Sequence, residues 1–158
     1  MLWLRKTRLQ RKGHSISTKT MKERKIAFFI DDDSDFLELI PNTIQHPRFE
    51  VRTYHAPNGY RTIDEVIKTK PDILFLDFYL PRANGGQIVS ILKSVKSLAH
   101  IPVYFITGFS KAEVLPLLKD VDCQGVLVKN QSLWAEVSKI LDQLDQTNCC
   151  LSDPLNSN

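Results

Sequence analysis

Short apolar runs alternate with amphipathic stripes along most of this chain. Five runs rich in β-branched and aromatic residues predict strands at residues 26–30, 49–54, 73–76, 103–106 and 126–128. The runs beginning at residues 26, 73 and 103 are apolar throughout. Continuous apolar strands are typical of a parallel sheet that is covered on both faces.

The segments between the strands repeat their apolar residues at helical spacing. These stripes cover residues 36–44, 63–67, 88–95, 114–118 and 133–144. Pro41 predicts a kink or a short first helix, and Pro116 interrupts the short fourth helix. Five β-then-α units in succession predict an α/β doubly wound fold with right-handed crossovers.

Polar side chains end several of the predicted strands, where parallel sheets bind ligands. The first strand ends in the acidic triplet Asp31–Asp33, the third in Asp77, the fourth in Thr107 and the fifth in Lys129. Carboxylates held together repel one another unless a cation joins them. A hard cation that keeps several waters suggests Mg²⁺. A metal beside a hydroxyl and an ammonium suits phosphoryl chemistry, with one Asp as the nucleophile that carries the phosphoryl group.

Together these residues resemble the response-regulator receiver domain of two-component signalling. The matching segments are FFIDDDSDF (28–36), ILFLDFYLPRANGG (73–86), VYFITGFS (103–110) and GVLVKN (125–130). Asp77 lies 45 residues after Asp32, and Thr107 and Lys129 lie 30 and 52 residues after Asp77, spacings similar to the family's. The resemblance covers residues 25–145. It implies a flavodoxin-like (βα)5 fold with a five-stranded parallel sheet in the order 2-1-3-4-5.

The resemblance also implies a metal site and a phospho-acceptor. Asp77 is the expected phospho-acceptor. Asp32 and Asp77 are expected to bind Mg²⁺ directly and Asp31 through water, with the backbone carbonyl of Tyr79 as a further ligand. Asp33 leaves the acidic pair ambiguous by one residue, and Asp31 with Asp32 is the preferred pair.

By the same resemblance, Thr107 hydrogen-bonds the phosphoryl group and Lys129 pairs with it. The signalling side departs from the family's pattern at two positions. The switch position that works with Thr107, usually Tyr or Phe, is Val126, which puts the usual aromatic switch in doubt. The residue after the lysine, usually Pro, is Asn130. A cis bond to a residue other than Pro costs about 3–4 kcal/mol, so Lys129–Asn130 is expected to be trans.

The expected function is that of a single-domain response regulator. Its donor is a phosphohistidine on a histidine kinase or a histidine phosphotransfer protein, and its signal passes to a downstream protein partner or along a phosphorelay. It is expected to be no enzyme beyond its own phosphorylation and dephosphorylation. One alternative is an unphosphorylated receiver-like adaptor that binds through Val126, Asn130 and their surroundings. Another is a haloacid-dehalogenase-like phosphatase, suggested by Asp31-x-Asp33, in which Asp77 has no role.

Two aromatic residues, Tyr79 and Phe109, flank the expected acceptor in the sequence. The simplest interpretation is that they are surface aromatics at a loop. A sharper hypothesis is that they hinder the water that attacks the aspartyl phosphate.

Charge and cysteine usage separate the body from the two ends of the chain. Residues 1–24 hold eight of the 21 Lys and Arg residues but only one acid, so they carry +7 while the remainder carries −4. We therefore expect no nucleic-acid binding by the acidic remainder of the chain. No apolar run reaches the ~18 residues of a membrane span, so we expect no membrane span either. The three cysteines form no disulfide or zinc pattern, which favours a cytoplasmic location. The predicted organisation is a basic, disordered leader (1–24), a receiver domain (25–145) and a disordered tail (146–158). As an alternative, the protein truly begins at Met21.

Overall fold

A computed structural model describes residues 23–149 of the 158-residue chain. All five predicted strands and all five predicted helical segments form within this range. The strands are β1 (Lys25–Asp31), β2 (Phe49–His55), β3 (Ile73–Asp77), β4 (Tyr79–Leu80), β5 (Ala83–Asn84), β6 (Val103–Thr107) and β7 (Gly125–Val128). The helices are α1 (Ser34–Thr43), α2 (Arg61–Thr69), α3 (Gly85–Ser94), α4 (Lys111–Val114) and α5 (Leu133–Cys149).

The five longer strands form one parallel sheet in the order β2-β1-β3-β6-β7. Strands β4 and β5 form a separate antiparallel hairpin that the sequence pattern did not predict. With that hairpin set aside, the strand order is the expected 2-1-3-4-5, and the predicted α/β doubly wound fold is confirmed. The chain order reverses between β1 and β3, so the carboxyl ends of these two strands flank the crevice where such sheets bind ligands.

Helices cover both faces of the sheet. In β1, Phe28 and Ile30 pack into a core that is shared with α2, α3 and α4. The alternate residues Ala27 and Phe29 pack into a second core that is shared with α1 and α5. Since successive side chains of a strand point to opposite faces, both sets must be apolar, and the central strands are therefore apolar without interruption.

Two short helical segments contain the prolines that the sequence singled out. Helix α1 includes Pro41 and ends two residues later, at Thr43, which confirms a short first helix. Helix α4 is four residues long and continues as a 3₁₀ turn over Leu115–Leu118 that contains Pro116. Both prolines limit helix length because a proline has no N–H to donate to the preceding turn.

Helix α5 extends beyond the predicted end of the domain. It runs to Cys149, so residues 146–149 are helical where a disordered tail was predicted. The hydroxyl of Thr147 donates to the carbonyls of Gln143 and Leu144 within the last turns. The apolar stripe ends at Leu144, and hydrophobic spacing carries no signal for the polar turn that follows. The leader up to residue 22 and the tail from residue 150 lie outside the described residues.

Across residues 23–149, no helix combines the length and the hydrophobicity that a bilayer crossing requires.

Candidate functional site

Three carboxylates meet at the carboxyl ends of β1 and β3. Asp31, Asp32 and Asp77 each offer an oxygen that lies within 4.8 Å of the other two. Asp31 and Asp77 are only 1% and 6% exposed, whereas Asp32 is exposed. Strand β1 pairs with β3 in register up to Ile30 opposite Leu76, so the next residue of each strand emerges at the same level. The sheet thus brings together the three acids that the sequence assigned to the metal site.

Burial disfavours the ionised forms of the two buried carboxyl groups in this cluster. It raises the pKa of Asp77 to about 7, an effect that the Lys129 ammonium opposes and the carboxylates of Asp31 and Asp32 reinforce. Burial also raises the pKa of Asp31, although a hydrogen bond from Lys129 opposes this effect. A divalent cation relieves such repulsion, and an all-oxygen donor set of carboxylates is what Mg²⁺ prefers. The three acids therefore fit a Mg²⁺ ion.

Lys129 reaches this cluster from the strand at the edge of the sheet. It directly follows β7, and its backbone N–H donates to the Thr107 carbonyl at 2.8 Å. Its Nζ lies 2.7 Å from Asp31 Oδ2, so the lysine pairs with Asp31 rather than with the expected acceptor. The peptide bonds among the described residues are all trans, as predicted for Lys129–Asn130. The Asn130 side chain accepts hydrogen bonds from Ser132 and holds the turn that leads into α5.

Thr107 ends β6, the neighbour of β3, and is fully buried. Its Oγ1 accepts the backbone N–H of Phe109 at 3.2 Å, which leaves the hydroxyl hydrogen available for donation. A Cβ atom added at Gly108 would meet no heavy atom within 4 Å. The loop after β6 therefore leaves open space at Gly108, the residue that follows Thr107.

The hairpin of β4 and β5 begins two residues after Asp77. The backbone N–H of Tyr79 lies 3.5 Å from Asp77 Oδ1, so the main chain of Tyr79 lies beside the cluster, and the role of its carbonyl stays a prediction. The rings of Tyr79 and Phe109 are half-exposed, with centroids 4.6 Å apart. A Cβ at Gly85 would lie 2.9 Å from the carbonyl oxygen of Asp77, so this glycine permits a close approach of α3 to the site.

Two other predicted positions add no side chain to the cluster, although the backbone N–H of Asp33 donates to Asp31 Oδ1 at 3.0 Å. Asp33 caps α1, because its side chain accepts the backbone N–H groups of Asp35 and Phe36. Val126 pairs with Phe105 across the sheet and is buried in the core against α2, α3 and α4. The Val126 side chain therefore offers no surface through which an adaptor would bind.

Sequence reasoning missed two contacts at this site. Lys129 Nζ lies 4.4 Å from the centroid of the Phe36 ring, a residue that the sequence assigned to the apolar stripe of the first helix. His55 Nε2 lies 3.0 Å from the carbonyl oxygen of Asp32. His55 ends β2, the outer neighbour of β1, so applying the strand order to every strand end would have found it.

Comparisons with known proteins identify the family and the fold that this chain resembles. The family described as "Response regulator receiver domain" matches residues 27–140. The polar-differentiation response regulator DivK of Brucella anthropi is 25% identical over 105 residues, which are 66% of this chain and 84% of DivK.

Solved structures give the same fold. The chemotaxis response regulator CheY4 of Vibrio cholerae superimposes with a TM-score of 0.65 at 21% identity over 77% of this chain and 98% of its own. The receiver domain of the DNA-binding response regulator merR from Colwellia psychrerythraea gives a TM-score of 0.66, also at 21% identity and with the same coverage of both chains. At these identities the structural likeness supports the fold alone.

Proposed function

The chain belongs to the response regulator receiver domain family, and we propose on that premise that Asp77 accepts a phosphoryl group from a phosphohistidine donor. The observation that carries the proposal is the meeting of Asp31, Asp32 and Asp77 within 4.8 Å of one another. Lys129 and Thr107 approach the same strand ends from β7 and β6.

In the proposed reaction, an oxygen of the Asp77 carboxylate attacks the phosphorus atom. The P–N bond to the donor imidazole breaks as the O–P bond forms, and the departing nitrogen keeps the electron pair and takes up a proton. Lys129 pairs with the phosphoryl oxygens, and the Thr107 hydroxyl donates a hydrogen bond to them. These groups offset the negative charge that builds on the oxygens during transfer.

The proposed cofactor is Mg²⁺, held by Asp32 and Asp77 directly and by Asp31 through water, with the Tyr79 carbonyl as a further ligand. When bound, the ion supplies positive charge that keeps Asp77 ionised and offsets the charge of the incoming phosphoryl oxygens. Without a cation, burial holds the pKa of Asp77 at about 7, so part of the population carries a proton where the nucleophile is needed.

The intact mass of the protein after treatment with acetyl phosphate tests this proposal. We expect the wild type to gain the mass of one phosphoryl group in Mg²⁺ and to gain none after chelation by EDTA. Asp77→Asn should gain nothing, because an amide cannot replace the carboxylate nucleophile.

Asp33→Asn is the matched control, since it changes a neighbouring acid to the same amide. Asn caps a helix as well as Asp does, so this variant should fold and be phosphorylated like the wild type. A wild type that gains no mass would refute the proposal and favour the unphosphorylated adaptor. Mass gain in Asp77→Asn would place the acceptor elsewhere.

The proposed partners are a histidine kinase or a histidine phosphotransfer protein as donor and a protein target downstream. The protein catalyses only its own phosphorylation and dephosphorylation, and the cysteine pattern supports a cytoplasmic setting. The phosphatase alternative needs Asp33 beside Asp31 in the chemistry. That alternative loses support because Asp33 serves as the cap of α1.

A further inference from the structure

We infer that Phe36 positions the Lys129 ammonium for phosphoryl transfer, an inference that rests on the proposed function of Asp77. Lys129 Nζ has two close neighbours at the site. One is Asp31 Oδ2 at 2.7 Å, and the other is the face of the Phe36 ring, whose centroid is 4.4 Å away. Among the carboxylates of residues 23–149, Asp31 alone lies within ion-pair distance of this ammonium.

The two neighbours hold the ammonium in different ways. Asp31 holds it by charge, but the same carboxylate belongs to the proposed cation site. Once a cation shares that carboxylate, two positive charges compete for it and the hold of Asp31 on Lys129 weakens. The Phe36 ring attracts the ammonium through its quadrupole and carries no net charge, so it competes neither with a cation nor with a phosphoryl group.

A ring at this place also limits the freedom of the lysine. The four-carbon stem of a lysine has many rotamers, and fixing it during transfer costs entropy. Lys129 is largely withdrawn from solvent, with its side chain 21% exposed. A ring that keeps the ammonium beside the carboxylates before the donor arrives reduces the entropy that must be lost during the reaction.

The Phe36 ring is itself held in place by the last helix. Phe36 lies in the first turn of α1, and Trp134 lies in the first turn of α5. Their rings are stacked, with centroids 5.6 Å apart and planes 17° apart. The indole thus fixes the orientation of the ring that faces Lys129.

The rate of phosphorylation by acetyl phosphate in saturating Mg²⁺ tests this inference. Phe36→Leu keeps an apolar side chain but removes the aromatic face, and we expect its rate to fall about five-fold. Phe36→Tyr keeps the face and should react at nearly the wild-type rate. The Mg²⁺ dissociation constant should be the same in all three proteins, because Phe36 is not a ligand.

Phe49→Leu is the matched control. Phe49 also lies beneath a lysine, with Lys25 Nζ 5.4 Å from its centroid, but it begins β2 at the opposite end of the sheet. This variant should be phosphorylated at the wild-type rate.

A second substitution at residue 36 keeps the test independent of folding. Replacing Phe36 with 3,4,5-trifluorophenylalanine preserves the ring but weakens its negative face, so the rate should fall toward that of Phe36→Leu. A wild-type rate in the trifluoro protein would overturn the inference even if Phe36→Leu failed to fold. If the wild type is phosphorylated and Phe36→Leu reacts at the same rate, this inference alone is overturned. If the wild type is not phosphorylated, the inference and the proposed function are both overturned.

Discussion

Replacing Asp77 with Asn should stabilise the metal-free protein at neutral pH. Asp77 is 6% exposed, and burial with the nearby carboxylates raises its pKa from an ordinary 3.8 to about 7 despite the Lys129 ammonium. Ionising this buried carboxyl in the folded state therefore costs up to about 4 kcal/mol, since one pKa unit corresponds to about 1.4 kcal/mol. An Asn amide has nearly the same size and carries no charge, so it avoids this cost.

The sign of the pH dependence follows from the raised pKa of Asp77. The folded protein binds this proton more tightly than the unfolded chain does. The stability that the proton contributes is complete below about pH 3.8 and is lost as the pH rises through about 7. The advantage of Asp77→Asn over the wild type should therefore grow by about 2–3 kcal/mol between pH 5 and pH 8 and level off above pH 7.

Urea unfolding followed by circular dichroism in EDTA at pH 5, 6, 7 and 8 measures this difference. Asp64→Asn, which changes an exposed carboxyl in the first turn of α2, is the control and should show no advantage that grows over this range. Adding Mg²⁺ at pH 8 should stabilise the wild type more than Asp77→Asn, because binding to the folded state stabilises it. An equal advantage at pH 5 and pH 8 would refute the reasoning about the buried carboxyl.

Two further predictions concern the aromatic pair near Asp77 and the buried hydroxyl of Thr62. The Tyr79 and Phe109 rings lie 4.6 Å apart. If they hinder the attacking water, replacing both with Ser should shorten the half-life of the phosphorylated protein several-fold, measured by intact mass over time, and an unchanged half-life would exclude the hypothesis. Thr62 is fully buried in α2, and its Oγ1 finds no hydrogen-bond partner among residues 23–149. Thr62→Val should therefore raise the free energy of urea unfolding by about 1 kcal/mol relative to the wild type, and a decrease would show that the hydroxyl is satisfied.

The strands of the parallel sheet and the acids at their ends could be predicted, because burial in the tertiary structure imposes a pattern of apolar residues on the local sequence. The continuous apolar runs of β1, β3 and β6 exist because both faces of these strands are buried. The acids were predictable for a related reason, since polar residues that directly end buried strands must emerge at the edge of the sheet. The sequence therefore predicts that Asp31 and Asp77 lie near one another.

Other features had no local pattern to reveal them. Strands β4 and β5 are two residues each, too short for an alternation to be recognised. The tail was predicted to begin at residue 146 although α5 runs to Cys149, because the apolar stripe that periodicity detects ends at Leu144. The acidic triplet left Asp33 undecided, and its function as the α1 cap is visible only in its hydrogen bonds.

The amino-acid order alone determined where the five strands of the parallel sheet and the cores of the five helices form, and which polar residues end those strands, because burial of one or two faces gives the chain a periodic pattern of apolar residues. Only the tertiary structure decided which of the polar side chains at the strand ends contact one another. Three features depend on side-chain packing between segments far apart in sequence. They are the pairing of Lys129 with Asp31, the ring of Phe36 beneath its ammonium, and the Thr62 hydroxyl that finds no partner within residues 23–149. Such contacts depend on distances of a few ångströms in three dimensions, and those distances leave no period along the chain.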